Sequence, residues 1–360
     1  MPIYRIFSYT LSTILFFILS TPFQAYGSTK NGTEKERWSC GITYENDVIG
    51  DGFDSYYSHG HQLSCLTGAK YDDWEPFRGL RWLGQHTPWF KEHNTNMRGT
   101  LSFGQKMFTP ANIGNSLLQE NDRPWAGWAY LGFGFVADHR RLKRTFNKDS
   151  FLDTLELQIG MVGEASQVDH IQTWIHKNVT SSPEPKGWQH QLQNELGVVL
   201  SYRRQWQNID SSRHFDVLPS MGFSVGNVYD HLTAGLILRV GSGLGRDYGP
   251  PSIPPGPPGS GFFRPQKERL SCLGLGGAFD CYVFGGVEGR AVGRNIFLDG
   301  NTFVSSHSVK KEPLVGEAMV GFAFTGEKWR ASFMKIFRNR EFQSQPRSSS
   351  FGVINVTWHY

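Results

Sequence analysis

Two groups of polar residues in this chain have types and spacings that suit chemistry. The first lies in Tyr44–Gly60, where Asn46, Asp47, Asp51 and Asp54 crowd oxygen atoms between two strand-like segments. Hard cations such as calcium take carboxylate, amide and carbonyl oxygens, and small irregular loops supply them. An Asp/Gly-rich hairpin turn has the same composition for backbone reasons alone. The second group is Gln172 and His176, four residues apart and therefore one turn apart on one side of a helix. A histidine near a helix end also serves as a plain dipole partner. Combined, the two groups make a workable hydrolase. The imidazole takes a proton from water near neutral pH, a cation polarises an ester carbonyl, and the Gln amide donates to the oxyanion. Asn46 and Asp47 would face opposite ways on a regular strand, so a site that uses both needs the strand to bend there.

Four other histidines compete for the role. His59 and His61 fall on the strand face opposite Ser58, which points them outward, and His170 falls on the far side of the helix from His176. His190 stands downstream of the helical stretch. No G-x-S-x-G elbow is present, which disfavours an α/β-hydrolase.

These residues need elements to position them. In Ala165–Asn178, Val168, Ile171 and Ile175 form an apolar stripe at helical spacing, with Ser166 as a candidate N-cap. Elsewhere the pattern alternates. Trp38, Cys40, Ile42 and Tyr44 oppose Ser39, Gly41, Thr43 and Glu45, and Leu155, Leu157, Ile159 and Met161 oppose Thr154, Glu156, Gln158 and Gly160. The polar face is rich in Gly, Ser, Thr, Gln and Glu, which suits a transmembrane barrel with lipid outside and a polar lumen. Ile354, Val356, Trp358 and Tyr360 share a face, and the chain ends on an aromatic, as barrels of this kind commonly do.

The expected fold is thus all-β: a transmembrane antiparallel β-barrel with a short helix in an extracellular connection. About twelve strands are expected, near 38–47, 56–68, 97–109, 125–139, 150–163, 191–206, 213–225, 228–242, 278–293, 313–325, 328–341 and 348–360. With both termini periplasmic, connections 48–55, 110–124 and 164–190 share the outer end, and 69–96 and 243–277 share the inner one. The parity brings Asn46, Asp47, Ser58 and His176 to one rim. Pro250–Gly259 excludes helix and sheet and reads as a stiff extended spacer.

Residues 1–27 read as a signal peptide: Arg5, an apolar core from Leu11 to Leu19, and an A-x-G cleavage pattern at Ala25 and Gly27. The remaining 28–360 form the barrel domain. The core is too short for a membrane-spanning helix. A net charge of +4 without a basic block argues against nucleic acid. Cys40, Cys65, Cys272 and Cys281 fit an oxidising compartment and allow three pairings, with no zinc spacing.

Glu45-Asn-Asp followed by Asp54-x-x-Tyr57-Ser-x-Gly60 resembles the E-N-D…D-x-x-Y-T-N-G signature of outer-membrane lipid A 3′-O-deacylases. Asn121–Trp128 resembles the D-D-R-P-Y-A-G-W run of that family, and Gly160-x-Val-Gly163, Gln172-x-x-x-His176 and Gly187-Trp-x-x-Gln191-Leu-x-Asn194-Glu195 match later motifs in order. The resemblance implies a twelve-stranded barrel and calcium-dependent hydrolysis of the acyloxyacyl group at the 3′ position of lipid A. It carries the catalytic His onto His176, its Gln onto Gln172, its Asn-Asp pair onto Asn46 and Asp47, and its strand Thr onto Ser58. Asp51 and Asp54 rank below Asn46 and Asp47 as metal ligands. There are departures: Ser58 stands for Thr, His59 stands for Asn, and the Lys-Arg pair that some members use toward lipid phosphates has no counterpart between Ala111 and Glu120. A monomer in the bacterial outer membrane, its site facing the exterior, is the expectation. Two rivals remain: an esterase acting on phospholipid, and a pore or adhesion barrel without chemistry.

Overall fold

The computed structural model describes residues 38–47, 56–68, 82, 96–139, 150–178, 183–209, 214–250, 262–264, 271–272 and 275–360. Twelve strands close into one antiparallel barrel: β1 (Ser39–Asn46), β2 (Tyr56–Leu66), β3 (Asn96–Thr109), β4 (Ala126–Asp138), β5 (Ser150–Val162), β6 (Glu195–Ile209), β7 (Phe215–Gly226), β8 (Tyr229–Gly241), β11 (Asp280–Asn295), β12 (Leu314–Thr325), β13 (Trp329–Arg338) and β14 (Ser349–His359). A small ribbon, β9 (Ser271–Cys272) with β10 (Leu275–Gly276), lies in the β8–β11 connection. Helix α1 (Val168–Asn178) follows β5, and a short α2 (Ile296–Asp299) follows β11. β1 pairs with β14, so no barrel edge is left exposed.

The expected strands recur with small shifts at their ends. The largest is at β6, which starts at Glu195 because Trp188–His190 forms a 3-10 turn and Gln191 bridges to Trp125 instead. Ser166 is not the helix cap: it sits in a 3-10 turn, Glu164–Ser166, and its hydroxyl donates to the Gly163 carbonyl at 2.6 Å. The cysteines pair as Cys40–Cys65, directly across the β1–β2 register, and Cys272–Cys281.

Alternation sorts the wall. Ile42, Leu131, Ile159, Leu232, Val287, Val320 and Val356 are exposed on the side that meets lipid. The other side is polar and crosslinked: Arg203 donates to Glu288 at 2.7 Å, and both Arg290 and Arg338 donate to Glu317. Closing a barrel fills its interior with such side chains.

Both ends of the lumen are occupied. The termini share one end, and there the start of the β8–β11 connection turns inward. Asp247 is fully buried and accepts from Arg239, from Arg330 at 2.7 Å and from the Tyr282 hydroxyl at 3.0 Å. Phe262 packs with Leu66, Val136, Leu152 and Tyr248, so the connection reaches strands on the far side of the barrel. Residues 251–259 of the expected proline spacer lie outside the described residues, but the segments flanking it are plug rather than excursion. At the distal end α2 inserts Phe297, which stacks on Phe108 at 4.0 Å and joins Trp128, Tyr130 and Tyr229 in an aromatic cluster.

Candidate active site on the lipid-facing wall

Register decides where the hairpin residues point. Asn46 pairs with His59 and Tyr44 with His61, all on the face that carries Ile42. His59 and His61 therefore do face outward, as expected, yet neither is left to lipid. Asn46 Nδ2 and His59 Nδ1 lie 3.1 Å apart, and the Tyr44 and His59 rings meet edge to face at 4.7 Å. His61 Nε2 lies 2.8 Å from Gln105 Oε1, and Gln105 Nε2 donates to the Ser166 carbonyl at 3.0 Å. This ladder ties the first hairpin to the turn that leads into α1.

The connection between β5 and β6 thus folds onto the outside of the wall, at the distal end, rather than over the lumen. Val168 is fully buried among Met107, Ile113, Trp125 and Trp188. Gly127 makes this possible, because a Cβ there would collide with Val168 and the Ser166 hydroxyl. Gly163, at φ 90°, turns the chain off β5 in a conformation that side chains rarely adopt. Gly187 lets Trp188 approach Trp125, the two rings being 5.0 Å apart.

Within this shell, Gln172 is 2% exposed and accepts a 2.9 Å hydrogen bond from Trp188 Nε1. An indole N–H only donates, so the bonded Gln172 atom is the oxygen and the amide nitrogen points the other way. That nitrogen is buried and has no acceptor among the described residues. One turn on, half-buried His176 places Nδ1 2.6 Å from the Pro183 carbonyl oxygen. A carbonyl only accepts, so Nδ1 carries a proton, and in the neutral imidazole the lone pair is then on Nε2. The pair places an imidazole and a fixed amide donor on one helix.

The other expected residues divide. Asn46 ends β1, and Asp47 follows in a bend and is buried, which supplies the break from strand geometry that joint use of the two requires. Ser58 lies in β2, but its side chain, like Asp51 and Asp54, lies outside the described residues. His170 is exposed beside Asp169 and away from the wall, and His190 Nε2 lies 3.0 Å from the Ser116 carbonyl. Sequence reasoning missed Gln105, Gly127, Pro183 and Trp188 as supports. Gly127 and Trp188 stood inside recognised motifs, whereas Gln105 and Pro183 carried no signal.

Asp47 and the Asn46 side chain offer hard oxygen donors of the kind calcium prefers. The described residues hold no cluster of three His, Cys, Asp or Glu side chains around a common point, so further ligands would have to come from backbone carbonyls, water or residues 48–55. The donors present fit a hard cation rather than zinc.

A family model described as "Outer membrane protein LpxR" matches residues 11–360. Among solved structures, LpxR from Salmonella typhimurium is 17% identical, covers 89% of this chain and 100% of its own, and superposes with a TM-score of 0.67. The β-domain of the Bordetella autotransporter BrkA is 9% identical, with 90% and 99% coverage and a TM-score of 0.40. The first likeness shows the fold, and the second is too distant to carry an argument. Comparison with curated proteins finds no match.

Proposed function

Because the chain belongs to the LpxR family of outer membrane proteins, the lipid A 3′-O-deacylases that its motifs resemble, we propose that it hydrolyses the 3′-linked acyloxyacyl ester of lipid A. The observation that carries this reading is the Nδ1–H of His176 on the Pro183 carbonyl, which in the neutral ring assigns the basic nitrogen to Nε2, one turn from a buried, fixed Gln172 amide.

In this mechanism His176 Nε2 takes a proton from water as that water attacks the acyl carbonyl carbon. The tetrahedral oxyanion accepts a hydrogen bond from Gln172 Nε2, a donor already aimed and shielded from solvent. The imidazolium then returns the proton to the departing sugar oxygen, and the freed fatty acid leaves. Asn46 and Asp47, with Asp51 and Asp54 ranked below them, are the residues that would hold calcium, and Ser58 supplies a hydroxyl where the family has Thr. When bound, calcium would supply Lewis-acid polarisation of the ester carbonyl.

Placement supports this substrate. In this reading both termini are periplasmic, so the distal end, with its 32-residue β5–β6 connection from Gly163 to Asn194, faces the cell exterior. On the lipid-facing wall, an acyl chain stays in hydrocarbon while its ester reaches α1. A passive pore has no use for a His and a Gln on the outside of a barrel whose lumen is occupied at both ends.

Mass spectrometry of lipid A from cells expressing wild type and His176→Ala tests the proposal. Wild type should remove the 3′-linked acyl chains. The variant should lose about 10²- to 10⁴-fold in rate, the range of general acid–base catalysis, and keep the heat-modifiable mobility of a folded barrel. Intact 3′ acylation in wild-type cells grown with calcium would refute it.

A further inference from the structure

On β3, Lys106 stands between Gln105 and Met107 but faces the other way, into the lumen. There it lines a small cavity of about 30 Å³ at the distal mouth. Lys106 and His231 form the deep wall with Arg290, while Arg294 and Glu312 stand nearer the rim by their positions at and beyond the end of β11. Four cationic side chains, Lys106, Arg290, Arg294 and Arg338, line this space against two carboxylates, Glu312 and Glu341.

The pairing inside the cavity is uneven. Glu341 is shared by Arg123 and Arg338, and Glu317, behind the wall, is shared by Arg290 and Arg338. Lys106, 8% exposed, and His231, 4% exposed, make no hydrogen bond or ion pair among the described residues. Two carboxylates act on Lys106 only through space: Glu45, across the register with side-chain-free Gly60 between them, and Glu156. A buried ammonium without a bonded partner is costly, and Lys106 and Arg290 both place positive charge beside His231. The Lys106 and His231 side chains both line this space, so a ligand in it would meet donors that no described protein group uses.

We propose that the distal mouth of the lumen is a binding site for a phosphate-class oxyanion, held by Lys106 and His231 from below and flanked by Arg290, while Arg294 is committed to the Asn227 and Gly300 carbonyls and the Thr302 hydroxyl. Donors converge from β3, β8 and β11. A tetrahedral anion with several acceptor oxygens satisfies donors from three directions, whereas two coplanar carboxylate oxygens satisfy fewer. The anion is either free phosphate or the phosphate of a lipid headgroup overhanging the rim, where the Ala111–Glu120 segment provides no Lys or Arg of its own. The proposal does not depend on the ester site, which lies on the other face of the wall.

The test uses the folded full chain in detergent, titrated with inorganic phosphate against chloride at constant ionic strength and followed by calorimetry and by thermal unfolding. Wild type should bind saturably and gain thermal stability. Lys106→Met should raise Kd at least about tenfold, equivalent to one lost charge-assisted contact, and unfold no earlier than wild type without phosphate. His231→Phe, which removes the ring nitrogens from the deep wall and keeps a ring of similar size, should weaken binding independently. Phosphorylated lipid A that competes with phosphate, beside dephosphorylated lipid A that does not, identifies a headgroup site. Competition by neither, with phosphate still bound, identifies a free-anion site. No saturable response in wild type, or equal Kd in wild type and both variants, overturns the proposal and leaves a water-filled cavity. Deacylation is not read, so a failure here is distinct from a failure of the esterase.

Discussion

Trp188 Nε1 donates to Gln172 Oε1 across 2.9 Å, and this one bond sets which way the Gln172 amide nitrogen points. Trp188→Phe keeps the ring in its pocket and removes the N–H, so the amide is free to turn. The expected result is a fall in kcat of about 10²-fold, the loss typical of a misplaced catalytic group, with KM for lipid A little changed. Gln172→Ala should fall by about 10²- to 10³-fold, the range for a single oxyanion donor. If Trp188→Phe is silent while Gln172→Ala is not, the indole is packing only.

Gly127 gives a test of the wall contact that alters neither the His176 nor the Gln172 side chain. A Cβ there meets Val168 and the Ser166 hydroxyl. Gly127→Ala should therefore lift α1 from β3 and β4 and lower activity by about 10²-fold through misplacement alone. The barrel should still assemble, because the clash lies outside its hydrogen-bond ladder. Full activity in a folded Gly127→Ala variant would show that the helix tolerates displacement.

Much of the barrel was legible because a period of two survives everywhere lipid meets one face and water or buried polar groups meet the other. Strand ends were readable to within a few residues, except at β6, where Trp188–His190 turns as a 3-10 helix. The site was legible in part. Spacing put Gln172 and His176 on one helix side, and parity put them at the same end as Asn46. Neither spacing nor parity could show that the helix lies against the outside of the wall. That depends on Gly127, Gly163 and the Gln105–Ser166 bond, which are contacts between distant positions. The plug around Asp247 was hidden for the same reason: a short polar segment before a proline run has no periodicity to announce that it is buried.

Asp47 offers the sharpest test of the metal. It is buried where β1 bends, beside Asn46. Asp47→Ala and chelation with EDTA should abolish deacylation to the same floor, and calcium should restore the chelated wild type but not the variant. Calcium should also raise the unfolding temperature of wild type and leave that of the variant unmoved, since binding to the native state alone stabilises it. Deacylation undiminished by EDTA would remove calcium from the mechanism.

The buried Asp247 carboxylate anchors the plug at the terminal end of the barrel. Burial raises its pKa, but the guanidinium groups of Arg330 and Arg239 outweigh burial and hold it below the usual carboxylate range. Asp247→Ala takes the carboxylate from fully buried Arg330, while Arg239 keeps Asp216, and breaking such a buried pair typically costs about 3–5 kcal/mol. Urea unfolding of vesicle-inserted protein should show that loss, and the variant vesicles should leak small ions that wild type retains. The pH dependence has a definite sign. A depressed folded pKa contributes stability that is fully present above the unfolded value, about 3.9, and disappears as pH falls through the lower folded value. The stability gap between wild type and Asp247→Ala should therefore be flat from about pH 5 to 8 and narrow only in stronger acid, since the unfolded carboxyl titrates near 3.9. A gap that instead closes toward alkaline pH would mean that Asp247 is held protonated, and that the clamp is a neutral hydrogen bond rather than an ion pair.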